Sequence, residues 1–186
     1  MASNATIYKA TLQVSDMDRH YYEEHTLTLA RHPSETDERM MVRLLAFALH
    51  AHEALSFGRG LSTEEEPALW QKDLTGVIDL WIEVGQPEEK TVRRACGRAK
   101  QVCLYTYGGR GADQWWEKNL ATLDRLNNLT VINLPLDGSR ALTTLAQPSM
   151  QLQCTIQEGQ IWMADGEHTA HIELTMLKNA STQFRP

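Results

Sequence analysis

The chain has few cysteines, no long apolar run and no excess of positive charge, and each shortage removes a class of protein. Cys96, Cys103 and Cys154 are odd in number and form no CxxC pair. That argues against a disulfide framework or a zinc ribbon, and for reduced thiols in a cytoplasm. No apolar run approaches the ~20 residues that span a bilayer, so no membrane is expected as a partner. The opening Met1-Ala2-Ser3-Asn4 lacks the basic and apolar regions of a signal peptide, and the expected location is cytoplasmic. The formal net charge is −6. A protein that grips nucleic acid through phosphates is usually basic, which lowers the expectation of tight nonspecific binding. A positive groove within an acidic whole would still permit it.

The composition is that of an ordinary globular protein. The 186 residues, 42% hydrophobic and 23% charged, are enough for one domain over 1–186 with a full core. No repeat, low-complexity tract or long linker divides them. Residues 5–15 alternate as a strand, a turn follows at 15–18, and 25–30 reads as the returning strand. Ser34 and Asp37 then mark a helix start, with the helix running to about Glu53. A short strand is expected near 57–61, and a short helix from the acidic patch Glu64-Glu65-Glu66-Pro67 through Trp70. After a strand at 77–84, Pro87 opens a helix over 88–101. Residues 102–106 form a strand, Gly108-Gly109 break it, and a helix carries Trp115-Trp116. A strand at 130–134, a helix near 138–146 and a three-stranded meander over 150–177 complete the order. The class is α/β (α+β): a mixed sheet flanked by helices.

Residues 75–87 hold the main anomaly. With strand geometry, Ile78, Leu80, Ile82 and Val84 line one face as core, while Val77, Asp79, Trp81, Glu83 and Gly85 line the other. A face already covered by Trp81 has little use for two carboxylates, because buried charge is unfavourable without a partner such as a divalent metal. The plain alternative is a strand with one solvent-washed face. Asp79 and Glu83 are four residues apart, ~13 Å between Cα atoms in an extended strand. That is too far for both to reach one ion directly at ~2.1–2.5 Å, so another element must contribute.

Glu38 is the obvious candidate. On a helical wheel it falls on the line of Val42, Leu45 and Leu49, near the helix N-terminus where a carboxylate also gains from the dipole. Equally, a first-turn acid can simply reach solvent. On the second helix, Arg93 and Lys100 border the core stripe of Val92, Ala95, Cys96 and Ala99 and could lean over the acidic face. Arg94 and Arg98 lie further round, as solvent charges. His50 and His52 diverge by ~200° and form no metal pair. His168 and His171 face opposite sides of a strand. Trp115-Trp116 reads as one core residue and one half-exposed neighbour rather than a base-stacking platform. No GK[ST] follows the glycines at 108, 109 and 111, so they form no phosphate loop.

The run Ala30-Arg31-His32-Pro33-Ser34-Glu35-Thr36-Asp37-Glu38-Arg39-Met40-Met41, with Ile78-Asp79-Leu80-Trp81-Ile82-Glu83-Val84-Gly85, closely resembles the YaeQ family of small bacterial proteins. The opening 5–10, Tyr105-Thr106-Tyr107 and Trp115-Trp116 fit as well, so the likeness covers nearly the whole chain. The resemblance implies a divergent PD-(D/E)xK nuclease-like fold: a restriction-endonuclease-like core with extra N- and C-terminal β-hairpins. It also implies a Mg²⁺- or Mn²⁺-dependent phosphodiester hydrolase acting on nucleic acid. In that pattern Asp79 and Glu83 are metal ligands, and Glu38 is a ligand or positioner. Arg93 or Lys100 replaces the motif lysine, because Gly85 stands where that lysine belongs. That departure, and the placing of both acids on one strand, keep open a second implication. The chain would then be a catalytically inactive descendant that binds nucleic acid or protein.

Overall fold

The computed structural model describes residues 4–181, so the Met1-Ala2-Ser3 reading lies outside the described residues. In chain order the elements are β1 (Thr6–Asp16), β2 (Tyr21–Arg31), α1 (Asp37–Leu49), β3 (Leu55–Phe57), β4 (Leu69–Lys72), β5 (Ile78–Val84) and α2 (Glu89–Arg98). Then come β6 (Ala99–Thr106), α3 (Arg110–Leu123), β7 (Leu129–Asn133), α4 (Leu136–Thr143), β8 (Ser149–Gln157), β9 (Gln160–Ala164), β10 (Thr169–Glu173) and β11 (Thr175–Lys178). The class is α+β with mixed sheets, as expected. No described helix is long and apolar enough to cross a membrane. The chain divides into two compact units, each with its own sheet. One runs to Ala51 and resumes over Pro135–Leu174; the other spans His52–Leu134 and resumes at Thr175.

In the first unit the sheet order is β10-β9-β8-β1-β2. The amino-terminal hairpin and the carboxy-terminal meander, separate in sequence, are joined where β1 runs parallel to β8. Alternate residues Ala10, Leu12 and Val14 of β1 and Leu152, Cys154 and Ile156 of β8 are buried, so the period-2 pattern faces one core. The helix cap is Thr36, not Ser34. Thr36 Oγ1 accepts from Arg39 N at 3.1 Å, while Ser34 Oγ is held at 2.7 Å by His32 Nδ1. The helix also stops at Leu49 rather than near Glu53. Arg19 donates to the carbonyls of Ala48 and Ala51 at 3.4 and 3.2 Å, satisfying groups that another turn would have used.

The polar side of α1 is not a solvated face. Glu35 and Arg43 are each only 4% exposed. Arg43 meets Glu35 at 2.5 and 2.9 Å and also donates to Ala30 O at 3.1 Å, and Arg39 closes on the same carboxylate. Two guanidiniums on one buried acid fix the approach of α1 to the end of β2.

In the second unit the order is β11-β7-β6-β5-β4-β3, with β5, β6 and β7 parallel. Residues 69–72 are a strand rather than the expected helix, because Leu69, Trp70 and Gln71 pair with Ile82, Trp81 and Leu80. Residues 175–178 leave the meander and pair antiparallel with β7 in this second sheet. The second helix ends at Arg98 instead of continuing to 101. Asn128 Nδ2 donates to the carbonyls of Cys96 and Ala99 at 2.9 and 3.0 Å, capping the helix and releasing 99–101 to lengthen β6.

Two outcomes are expected. Glu35→Ala leaves Arg43 buried without its counter-charge and should cost about 3–5 kcal/mol in urea unfolding. The double change Glu35→Ala/Arg43→Met should recover most of that. Burial, with Arg19 as a smaller influence, lowers the His50 imidazole from 6.5 to about 4. Burial also lowers His25, against the opposing pull of Glu23. Both rings fold neutral, so the unfolded chain binds more protons below its ordinary histidine range. Unfolding free energy should therefore fall as pH drops from about 6.5 towards about 4, and this slope should shrink in His50→Gln. An identical slope in the variant would contradict the assignment.

Candidate functional site

β5 is paired on both edges, antiparallel to β4 and parallel to β6. Its Asp79, Trp81 and Glu83 share a face, and that face is covered rather than washed by solvent. Trp81 is 2% exposed and joins one apolar cluster with Val92 and Ala95 of α2, Val102 and Leu104 of β6, and Leu129 and Val131 of β7. Trp70 sits directly across from it on β4, the rings 6.0 Å apart and nearly perpendicular at 83°. Asp79 and Glu83 are half-buried on either side of this indole.

Each acid has a protein partner. Asp79 Oδ1, an atom shielded from solvent, lies 2.7 Å from the Lys100 ammonium, an ion-pair distance. Lys100 is not on the helix, where the wheel placed it, but near the start of β6. The register Ile78↔Ala99 and Leu80↔Gln101 sets it beside Asp79, on the same sheet face. The hydrogen bond to Asp79 raises the Lys100 ammonium above the ordinary lysine range. Partial desolvation opposes this, and the charges of Asp79 and Asp73 add to it. Glu83 Oε1 accepts from Trp81 Nε1 at 2.9 Å. The Arg98 guanidinium lies 5.0 Å over the Trp81 ring, so this cation is part of the site and not a solvent charge.

Neither of the other two candidates joins this contact set. Arg93 does not lean over the strand; it pairs with Glu89 along α2 at 2.5 Å, with its side chain 57% exposed. Glu38 lies half-buried in the first turn of α1, in the first unit, whereas Asp79, Glu83, Arg93 and Lys100 all belong to the second. Among the described residues no group of three or more His, Cys, Asp and Glu side chains is placed to hold a metal ion. With Asp79 neutralised by Lys100 and Glu83 engaged by an indole, the donor set fits a divalent ion poorly. Burial pushes the Cys96 thiol up to about 11 and those of Cys103 and Cys154 to about 12, so none is a thiolate nucleophile at neutral pH. Trp115 and Trp116 stack at 6.5 Å, both partly buried against the apolar cluster, and Trp115 Nε1 donates to Pro87 O at 2.9 Å.

The helix wheel missed Arg98 over Trp81, because it scores one element and not what packs across from it. It also missed how charge is distributed. Residues 1–51 and 135–174 carry 12 acids against 6 Lys and Arg, whereas 52–134 and 175–186 carry 12 of each. The whole negative excess therefore belongs to the first unit, and the unit holding β5 is balanced.

The Asp79–Lys100 contact makes a direct prediction. In Asp79→Asn the Lys100 ammonium should titrate at lower pH than in the wild type, followed by NMR of the lysine side-chain carbons. A Lys100 titration unmoved by the change would mean that the contact does not exist in solution.

Comparison with known proteins gives the family. The family model described as YaeQ protein matches residues 1–174. The chain is 44% identical over 181 residues to the uncharacterized protein YaeQ of Escherichia coli (strain K12), covering 97% of this chain and 100% of that one. It is 46% identical over 182 residues to the uncharacterized protein YaeQ of Salmonella typhi, again covering 97% and 100%. The crystal structure of YaeQ protein from Xanthomonas axonopodis pv. citri superposes with a TM-score of 0.90 at 48% identity, covering 94% of this chain and 98% of that one. That of YaeQ protein from Pseudomonas syringae gives 0.88 at 36%, covering 96% and 98%. By sequence and by fold, this chain belongs to the YaeQ family.

Proposed function

We propose that this protein is a non-hydrolytic relative of the PD-(D/E)xK nucleases whose second unit binds nucleic acid through the phosphate backbone. One observation carries the reading: both acids of β5 already have protein partners, Lys100 for Asp79 and the Trp81 indole for Glu83. A carboxylate so engaged is a structural group, and what the neighbouring helix offers outward is cationic. Lys90, Arg94 and Arg98 follow at four-residue steps on α2, hence along one side of the helix about 6 Å apart in rise. The electrical balance of this unit supports the reading, since the acidity of the chain lies in the other segments.

A second reading has its own support. Lys100, Asp79 and Glu83 share one face of two adjacent strands, which is the acid, acid and lysine set of the nuclease motif with the lysine supplied by β6. In that reading Asp79 and Glu83 would hold Mg²⁺ or Mn²⁺ together with substrate phosphate.

The test is a fluorescence-anisotropy titration of labelled single- and double-stranded oligonucleotides in EDTA, over a range of salt. Saturable binding that weakens steadily with salt is expected, with the oligonucleotides intact after incubation in Mg²⁺ or Mn²⁺. No binding at low salt would overturn the proposal. Metal-dependent cleavage that Glu83→Ala loses would establish the second reading instead.

A further inference from the structure

The acidic loop between β3 and β4 lies against the cations of α2. Its base is closed by Gly58 N donating to Ala68 O at 3.1 Å. A Cβ at Gly58 would stand 2.2 Å from Pro67 O, so only glycine lets the two arms of the loop come this close. Glu66 also serves the base, accepting from Arg59 N at 2.9 Å. The other two acids reach across to the helix. Glu64 lies 3.8 Å from Arg94 and Glu65 3.9 Å from Arg98, whose Nη1 also donates to Glu65 O at 2.9 Å. Both carboxylates remain largely exposed, at 84% and 79%.

These ion pairs are loose and wet, so they contribute little to stability. Arg98 is nevertheless held in place by the Trp81 ring beneath it. Resting on the nucleic-acid reading above, we propose that Glu64 and Glu65 are an intramolecular substitute for phosphates. The loop occupies Arg94 and Arg98 in the free protein, and a nucleic-acid backbone displaces it from them. The exchange is nearly balanced for any one charge, carboxylate for phosphate on the same guanidinium. A polyanion tips it, because several phosphates bind together and release condensed counterions. The loop thus sets a threshold: isolated anions leave it in place, and a backbone long enough to engage Lys90, Arg94 and Arg98 together removes it.

The experiment compares wild type, Glu64→Gln/Glu65→Gln and Arg94→Gln/Arg98→Gln in EDTA, using a labelled single-stranded oligonucleotide with polyglutamate as a second probe. All four changed groups are at least partly exposed side chains, and thermal melts check that each variant is folded. Removing the two carboxylate charges from beside the arginines should tighten oligonucleotide binding about tenfold and steepen the salt slope by about 1.4, two cations at single-strand density. Arg94→Gln/Arg98→Gln should bind weakly, whatever the state of the loop. Unchanged or weaker binding by the glutamine pair, in a protein that does bind the oligonucleotide, overturns the loop proposal and leaves the binding reading standing. If no variant binds, both readings fall. Polyglutamate binding as tightly as the oligonucleotide would assign the surface to acidic protein segments and overturn the choice of nucleic acid. Divalent metal is absent throughout, so the outcome is independent of hydrolysis.

Discussion

A carboxylate beside a buried indole in the middle of a sheet has three ways to exist: ionised against a metal, ionised against a protein cation, or neutral. Asp79 takes the second, with Lys100 at 2.7 Å. Much of the second unit follows from how that lysine gets there. Asn128 ends α2 at Arg98, β6 gains Ala99, Lys100 and Gln101, and the parallel register sets the ammonium beside the acid. With Asp79 paired to Lys100, Trp81 packs between two acids and donates its N–H to Glu83. The face that suggested a metal pairs each acid with a protein group around a core tryptophan.

The first unit handles buried charge in a similar way. Glu35 is nearly inaccessible and is shared by Arg39 and Arg43, which tie α1 to the end of β2. Such networks add little net stability over apolar packing, yet breaking one member is severe, because the survivor stays buried and uncompensated. The pairing also gives one carboxylate from outside the helix a defined position on its first two turns. We take this as the reason the His32-to-Met41 segment is so polar for a sequence that ends inside a core.

Local pattern made much of the fold legible. The alternation of residues 5–15, 77–84 and 150–164 became strands, and in the stripe of Val42, Leu45 and Leu49 the first two are fully buried and Leu49 partly so. What failed depended on partners distant in sequence. Residues 69–72 have no strand signature of their own and become β4 only because Trp70 finds Trp81. Lys100 looks helical until Asn128, 28 positions later, caps the helix before it. Glu35 and Arg43 share the polar side of a helical wheel, and what a wheel does not show is that this side is buried. An imbalance of charge and burial that the sequence does display singles out Asp79 and Glu83, and both lie half-buried on β5. Their partners could not be read, since pairing across strands depends on register.

The claim at the centre is that Lys100, and not a divalent cation, satisfies Asp79. Calorimetric titration of Mn²⁺ into the wild type tests it without any assumption about substrate. We expect no saturable binding at low millimolar ion, and unmasking of weak binding only when Lys100→Met removes the ammonium. Saturable binding near one equivalent in the wild type, lost in Glu83→Ala, would contradict it.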